Sequence, residues 1–182
     1  SNYKKEGVHP QENITVYSLP PVLPFFNRSR AINRLNQKRI AAYVRKIMRR
    51  HGFEKPLLWV YSPVTVDAVD HIPHSALVYD CVDRHSAYGG LMNPALVDAM
   101  ELELAAKTDM TFATAASLAE RLKSAQPEAE FIPNGANFER FFEASKPQPV
   151  PEDLQSIPHP IFGFVGALQP CVEYGYVETA AR

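Results

Sequence analysis

Hydrophobic positions along this chain alternate between two rhythms. Short unbroken apolar runs occupy 57–61 (LLWVY), 76–82 (ALVYDCV), 110–113 (MTFA), 130–132 and 161–165 (IFGFV). Such runs predict strands buried on both faces. The stretches between them carry helical spacing. Over 29–51, Ile32, Leu35, Val44, Ile47 and Met48 recur on one side, and Gly52 is placed to stop the helix. Asn93 predicts a cap, with Pro94 at the first helical position, for a helix presenting Leu96, Met100 and Leu104. Thr114 is expected to cap a helix through 124. Helical turns are predicted at 67–72 and 138–143, and 174–182 reads as a helix stopped partway. Upstream, 14–19 reads as a strand ended by Pro20-Pro21.

Strands alternating with helices predict an α/β fold, a Rossmann-like parallel sheet with helices on both faces. Residues 1–145 would form this domain with its first strand missing. A proline-rich linker at 146–160 leads to 161–182, the start of a second domain. The chain has no initiator Met and is expected to be a piece of a longer protein.

Ligands of parallel sheets bind beyond the carboxyl ends of the strands. The run 76–82 contains Asp80 and spills into Asp83, Arg84 and His85, then into Tyr88-Gly89-Gly90. Glycines there let a backbone approach a ligand closely. The plain alternative is that these acids bond loop amides in an ordinary connection. Asn134-Gly135, a turn pair, and Gly166-Ala167, after the last apolar run, have the same two interpretations.

Composition refines the picture in three ways. The chain has 182 residues, 46% of them hydrophobic, and sixteen prolines against eight glycines, which implies a folded chain with stiff loops. The net charge of −1 hides a basic front: 1–55 balances to +9 and 56–182 to −10. Nine Lys/Arg lie between 28 and 50 with no acid among them, more than a solvated face requires. Beside the apolar Val22-Leu23-Pro24-Phe25-Phe26, they suit an anionic membrane surface, with Arg34, Lys38, Arg45 and Arg49 as contacts. The alternatives are pairing with acids of the same chain, and nucleic acid, of which the chain bears no signature. Cys81 and Cys171 lack CxxC spacing, which suits a reduced, cytoplasmic compartment. No apolar run approaches the ~20 residues that span a bilayer. Glu101 and Glu103, two apart, point to different helix faces and read as solvated charges. His71 and His74 flank Pro73 without metal-ligand spacing, so no metal is expected.

In order along the chain come VYDCVD, ELELAAKTDMTFATAASLAERL, FIPNGANFERFF and FGFVGAL. Over roughly 57–170 this resembles GT-B glycosyltransferases, particularly family 4-like enzymes of bacterial teichuronic acid and exopolysaccharide synthesis. The resemblance implies an acceptor-side domain followed by the first strand of a donor domain. The parent would move a sugar from a nucleotide sugar to a saccharide or lipid-linked acceptor at the inner face of the membrane, with no further cofactor. It makes Asp83 or His85 the acceptor-activating group, with Asp80, Tyr88, Gly89 and Gly90 beside the acceptor. Asn134 and Gly135 would sit near the cleft, and Gly166 and Ala167 on the donor side. The fragment alone is expected to be inactive. A GT-B-fold sugar-nucleotide epimerase, or a basic membrane-docking domain without catalysis, are the competing interpretations.

Overall fold

The apolar runs become a parallel sheet in a computed structural model that describes residues 7–88, 90, 92–161, 163–166 and 172–180. The chain divides into two units, Ser1–Asn134 and Gly135–Arg182.

The first unit opens with an antiparallel hairpin, β1 (Val8–Gln11) and β2 (Ile14–Val16). Asn13 turns it in the left-handed region (φ 63°), which asparagine tolerates better than most residues. Helix α1 (Arg30–Arg50) follows. Its Ser29 cap accepts from the Ile32 N–H, and Gly52 leaves the helix end at φ 72°, where a side chain would be strained. Then come β3 (Leu57–Val60), a 3-10 turn and α2 (Val66–Val69), β4 (Ala76–Cys81), α3 (Pro94–Ala105), β5 (Met110–Ala113), α4 (Ala116–Leu122) and β6 (Glu130–Phe131). The four later strands pair in parallel in the order β3-β4-β5-β6. This is the Rossmann-like alternation that the sequence implies.

Register assigns the two faces. Val60 lies beside Tyr79, Tyr79 beside Thr111, and Cys81 beside Ala113. On this face Val60, Leu77, Tyr79, Cys81 and Ala113 form the main core with Val66 and Val69 of α2, Val97, Met100 and Leu104 of α3, and Leu118 and Leu122 of α4. Leu58 also meets a second cluster of Ala41, Met48, Ala68 and Ile72, which seats α1 on α2. On the other face Trp59 lies beside Val78 and Val78 beside Met110, while Asp80 lies beside Phe112 and Phe112 beside Glu130. The helical layer expected over this second face is not supplied by the described residues: Leu57, Trp59 and Met110 stay 55%, 44% and 50% exposed.

Helix α1 does not seat as its apolar spacing suggests. Leu35 is 51% exposed, while Asn33, Asn36 and Gln37 are buried. Hydrogen bonds explain the exchange. The Asn33 amide donates to Asp67 Oδ2 (2.6 Å) and to the Val64 carbonyl (2.9 Å). Asn36 bonds both the N–H and the C=O of Leu23, each at 2.9 Å. Gln37 donates to Asn33 Oδ1. Asn33 and Asn36 are thus buried with partners in place, which avoids the penalty of an unmet polar group, whereas Gln37 Oε1 finds no partner among the described residues.

In the second unit, α5 (Phe138–Ala144) is capped by Asn137, which accepts from the Arg140 N–H at 2.8 Å, and α6 (Tyr174–Ala180) lies later in the chain. The strand expected over 161–165 is not formed by its described residues. A lone apolar segment has no neighbouring strand to complete its hydrogen bonds.

Candidate functional site at the carboxyl end of β4

Strand β4 carries its chemistry on alternating sides. Tyr79 and Cys81 point into the helical core, and Asp80 points to the open face. Asp80 is half-buried and accepts from the Trp59 indole N–H at 3.3 Å, rather than from loop amides as the plain alternative would have it. Past the strand end the chain reaches the surface. Asp83 is exposed, and its Oδ2 accepts from the Tyr88 hydroxyl at 2.6 Å. His85 Nδ1 lies 3.1 Å from the Asp83 carbonyl. A carbonyl can only accept, so Nδ1 is the donor there and Nε2 of the neutral ring is the nitrogen free to take a proton. The His85 and Tyr88 rings meet edge to face at 6.0 Å. The carboxylate, the imidazole and the phenol thus form one surface cluster. The hydrogen bond to Asp83, with a smaller contribution from burial, holds the Tyr88 hydroxyl above its ordinary pKa. Gly90 is exposed and adopts φ 90°.

Beneath the cluster lies a polar network that the sequence reading missed. Glu101, expected to be solvated, is fully buried on α3. Its Oε1 accepts from the Tyr79 hydroxyl at 2.5 Å and from the Cys81 thiol at 3.4 Å, and its Oε2 pairs with Arg121 of α4. Arg121 also reaches Asp98 at 3.4 Å, and Asp98 lies 3.8 Å from Arg84. The Cys81 thiol lies 3.6 Å from the Asp83 carbonyl, which ties the buried network to the surface cluster. Burial, followed by the neighbouring Cys81, raises the Tyr79 pKa, and burial raises that of the Cys81 thiol. Both therefore stay protonated and donate. The signal was present in the sequence: Val97, Met100, Glu101, Leu104 and Ala105 repeat at helical spacing, which puts Glu101 within the buried stripe. Glu103 faces outward, as its spacing from Glu101 implies, and pairs with Arg30 and Lys107.

Thr114 does not cap α4. Ala115 holds that position, and the Thr114 hydroxyl donates to the Val82 carbonyl at 2.8 Å, bracing the β4 end instead. Asn134 and Gly135 are exposed and straddle the division between the two units. Gly166 is an exposed bend. Gly89, Ala167 and Cys171 lie outside the described residues.

The basic residues of α1 divide into two groups. Arg30 pairs with Asp67 at 2.7 Å and with Glu103 at 2.9 Å, Arg34 pairs with Asp67 at 3.6 Å, and Arg45 donates to the His71 carbonyl at 2.5 Å. Pairing within the chain therefore takes up part of the charge, that of Arg34 included, while Arg45 is held by a neutral carbonyl and enters no ion pair among the described residues. Lys38, Arg39, Lys46, Arg49 and Arg50 are exposed and enter no ion pair among the described residues. At 100° per residue they share one side of α1 with Leu35. Among the described residues no helix is long and apolar enough to cross a membrane, and no three His, Cys, Asp or Glu side chains gather to hold a metal ion.

No protein-family model, curated protein or solved structure matches this chain.

Proposed function

We propose that this chain is the acceptor-side domain of a glycosyltransferase of the GT-B type, which moves a sugar from a nucleotide sugar to a saccharide or lipid-linked acceptor. The observation that carries this reading is the solvent-facing Asp83–Tyr88–His85 cluster at the carboxyl end of a parallel strand. A sugar hydroxyl needs an acceptor for its hydrogen bond and, during transfer, a base. Asp83 supplies the carboxylate, and Tyr88 fixes its orientation while presenting a ring edge to the sugar. His85 Nε2 takes up the proton. The Tyr79–Cys81–Glu101–Arg121 network holds the strand end in place from below. Asn134 and Gly135 form the connection to the donor side, where Gly166 is the described candidate.

Titration of the chain with a short oligosaccharide, followed by NMR, tests the acceptor role. Shifts centred on Asp83, His85 and Tyr88 are expected, with binding weakened about tenfold in Asp83→Asn. Shifts elsewhere, or equal binding by Asp83→Asn in a protein with an unchanged spectrum, would overturn it.

The five exposed cations Lys38, Arg39, Lys46, Arg49 and Arg50, which enter no ion pair among the described residues, favour a second role beside the first. They dock the domain on an anionic membrane, with Lys38 and Arg49 among the contacts and Leu35 on the same face.

A further inference from the structure

A parallel sheet normally has both faces covered, because its strands are apolar on both sides. Here the helices α1 to α4 gather on one face. The other carries Leu57, Trp59, Met110 and Phe112, and Trp59 stacks on Phe112 across β4 with ring centroids 5.8 Å apart. Val78, between them on β4, is only 2% exposed, as expected where the two stacked rings close over it. One side of it ends in carboxylates. Asp109, Glu128 and Glu130 line a cleft with Met110 and Phe112. All three are exposed, and none enters an ion pair among the described residues. Five of the exposed cations that enter no ion pair among the described residues lie on α1, which packs on the opposite side of the sheet, while Arg28, Lys55 and Arg140 lie elsewhere in the chain.

We propose that this face receives a cationic amphipathic helix from a partner. Its apolar stripe would lie on Leu57, Trp59, Met110 and Phe112, and its Lys/Arg flank would meet Asp109, Glu128 and Glu130. Apolar area supplies the adhesion, and the acidic border selects the sign and orientation of the partner. A helix about 10 Å across matches the span of two to three strands spaced about 4.8 Å apart. Nothing in this depends on the sugar-binding role of Asp83.

Trp59 is the single tryptophan of the chain, so its fluorescence reports on this face alone. The probe is a synthetic amphipathic peptide of leucine and lysine, with a leucine–glutamate counterpart as control. The lysine peptide is expected to shift Trp59 emission to the blue and reduce its quenching by acrylamide about threefold, while the glutamate peptide leaves both unchanged. Glu128→Lys with Glu130→Lys should weaken the lysine peptide at least about tenfold, and Glu128→Gln with Glu130→Gln should weaken it less. Three results would overturn the proposal: equal response to both peptides, no response to either, or Trp59 shielding that grows with protein concentration alone, which would make a second copy the occupant.

Discussion

The Tyr88 hydroxyl shows how two exposed side chains can change each other's chemistry. Its proton lies on a hydrogen bond to a carboxylate, so removing it costs the bond and places two negative charges together. The folded-state pKa therefore stands above the unfolded value. The stabilisation is complete below the unfolded phenol pKa, about 10, and is lost as pH rises through the higher folded value. An alkaline titration read at the phenolate absorbance, comparing the protein with Asp83→Asn, should move the Tyr88 midpoint down towards the ordinary range. An unmoved midpoint would mean that the pair does not form in solution. Asp83 and His85 were legible because they follow an apolar run. Tyr88 was placed beside them by its glycines, but its bond to Asp83 depends on a turn whose path the sequence does not specify.

At the scale of elements, Glu101 joins β4, α3 and α4 by bonding Tyr79, Cys81 and Arg121; Tyr79, Cys81 and Glu101 are fully buried and have no water as an alternative partner, while Arg121 is partly exposed. Removing one member of a buried charged pair leaves the other without compensation, at a cost of about 3–5 kcal/mol. Glu101→Ala should lower unfolding stability by that order in urea titration. Glu101→Gln, which keeps shape and an acceptor oxygen, should cost less. A loss under about 1 kcal/mol for Glu101→Ala would show that the network contributes little net stability. Strand and helix types were readable from rhythm, because 57–60, 76–81 and 110–113 have no polar residue disturbing the period except Asp80 and Thr111. The polar members of buried faces were not. Glu101 and Asn33 look like surface residues by type, and only their spacing among buried neighbours gives them away. The described residues of 161–165 form no strand for the opposite reason: the composition suits one, but strand formation needs a neighbour that composition cannot supply.

For the whole molecule, the separation of charge matters more than its total. Five exposed cations on one side of α1, without ion pairs among the described residues, should bind vesicles containing anionic lipid and ignore neutral ones, with affinity falling as salt rises. At about 1 kcal/mol per basic residue, Lys38→Gln, Lys46→Gln and Arg49→Gln together should weaken vesicle binding by roughly two orders of magnitude in a sedimentation assay. Arg30→Gln, whose charge is already matched by Asp67 and Glu103, should change stability and leave lipid affinity nearly intact. Equal losses from the two variants would show that total charge, not the stripe, governs contact. The basic front was plain in the sequence. Its division into matched and unmatched residues depended on where Asp67 and Glu103 lie in the folded chain.

The seat of α1 changes character along its length. Near its start it is held by the amides Asn33, Asn36 and Gln37, and near its end by Ala41, Val44 and Met48. Hydration of nonpolar surface carries a large heat capacity and that of amides one of opposite sign. Chilling therefore loosens the grip of the later turns while sparing the earlier ones. Near freezing, α1 would peel away from its Arg50 end first, still anchored at Asn33.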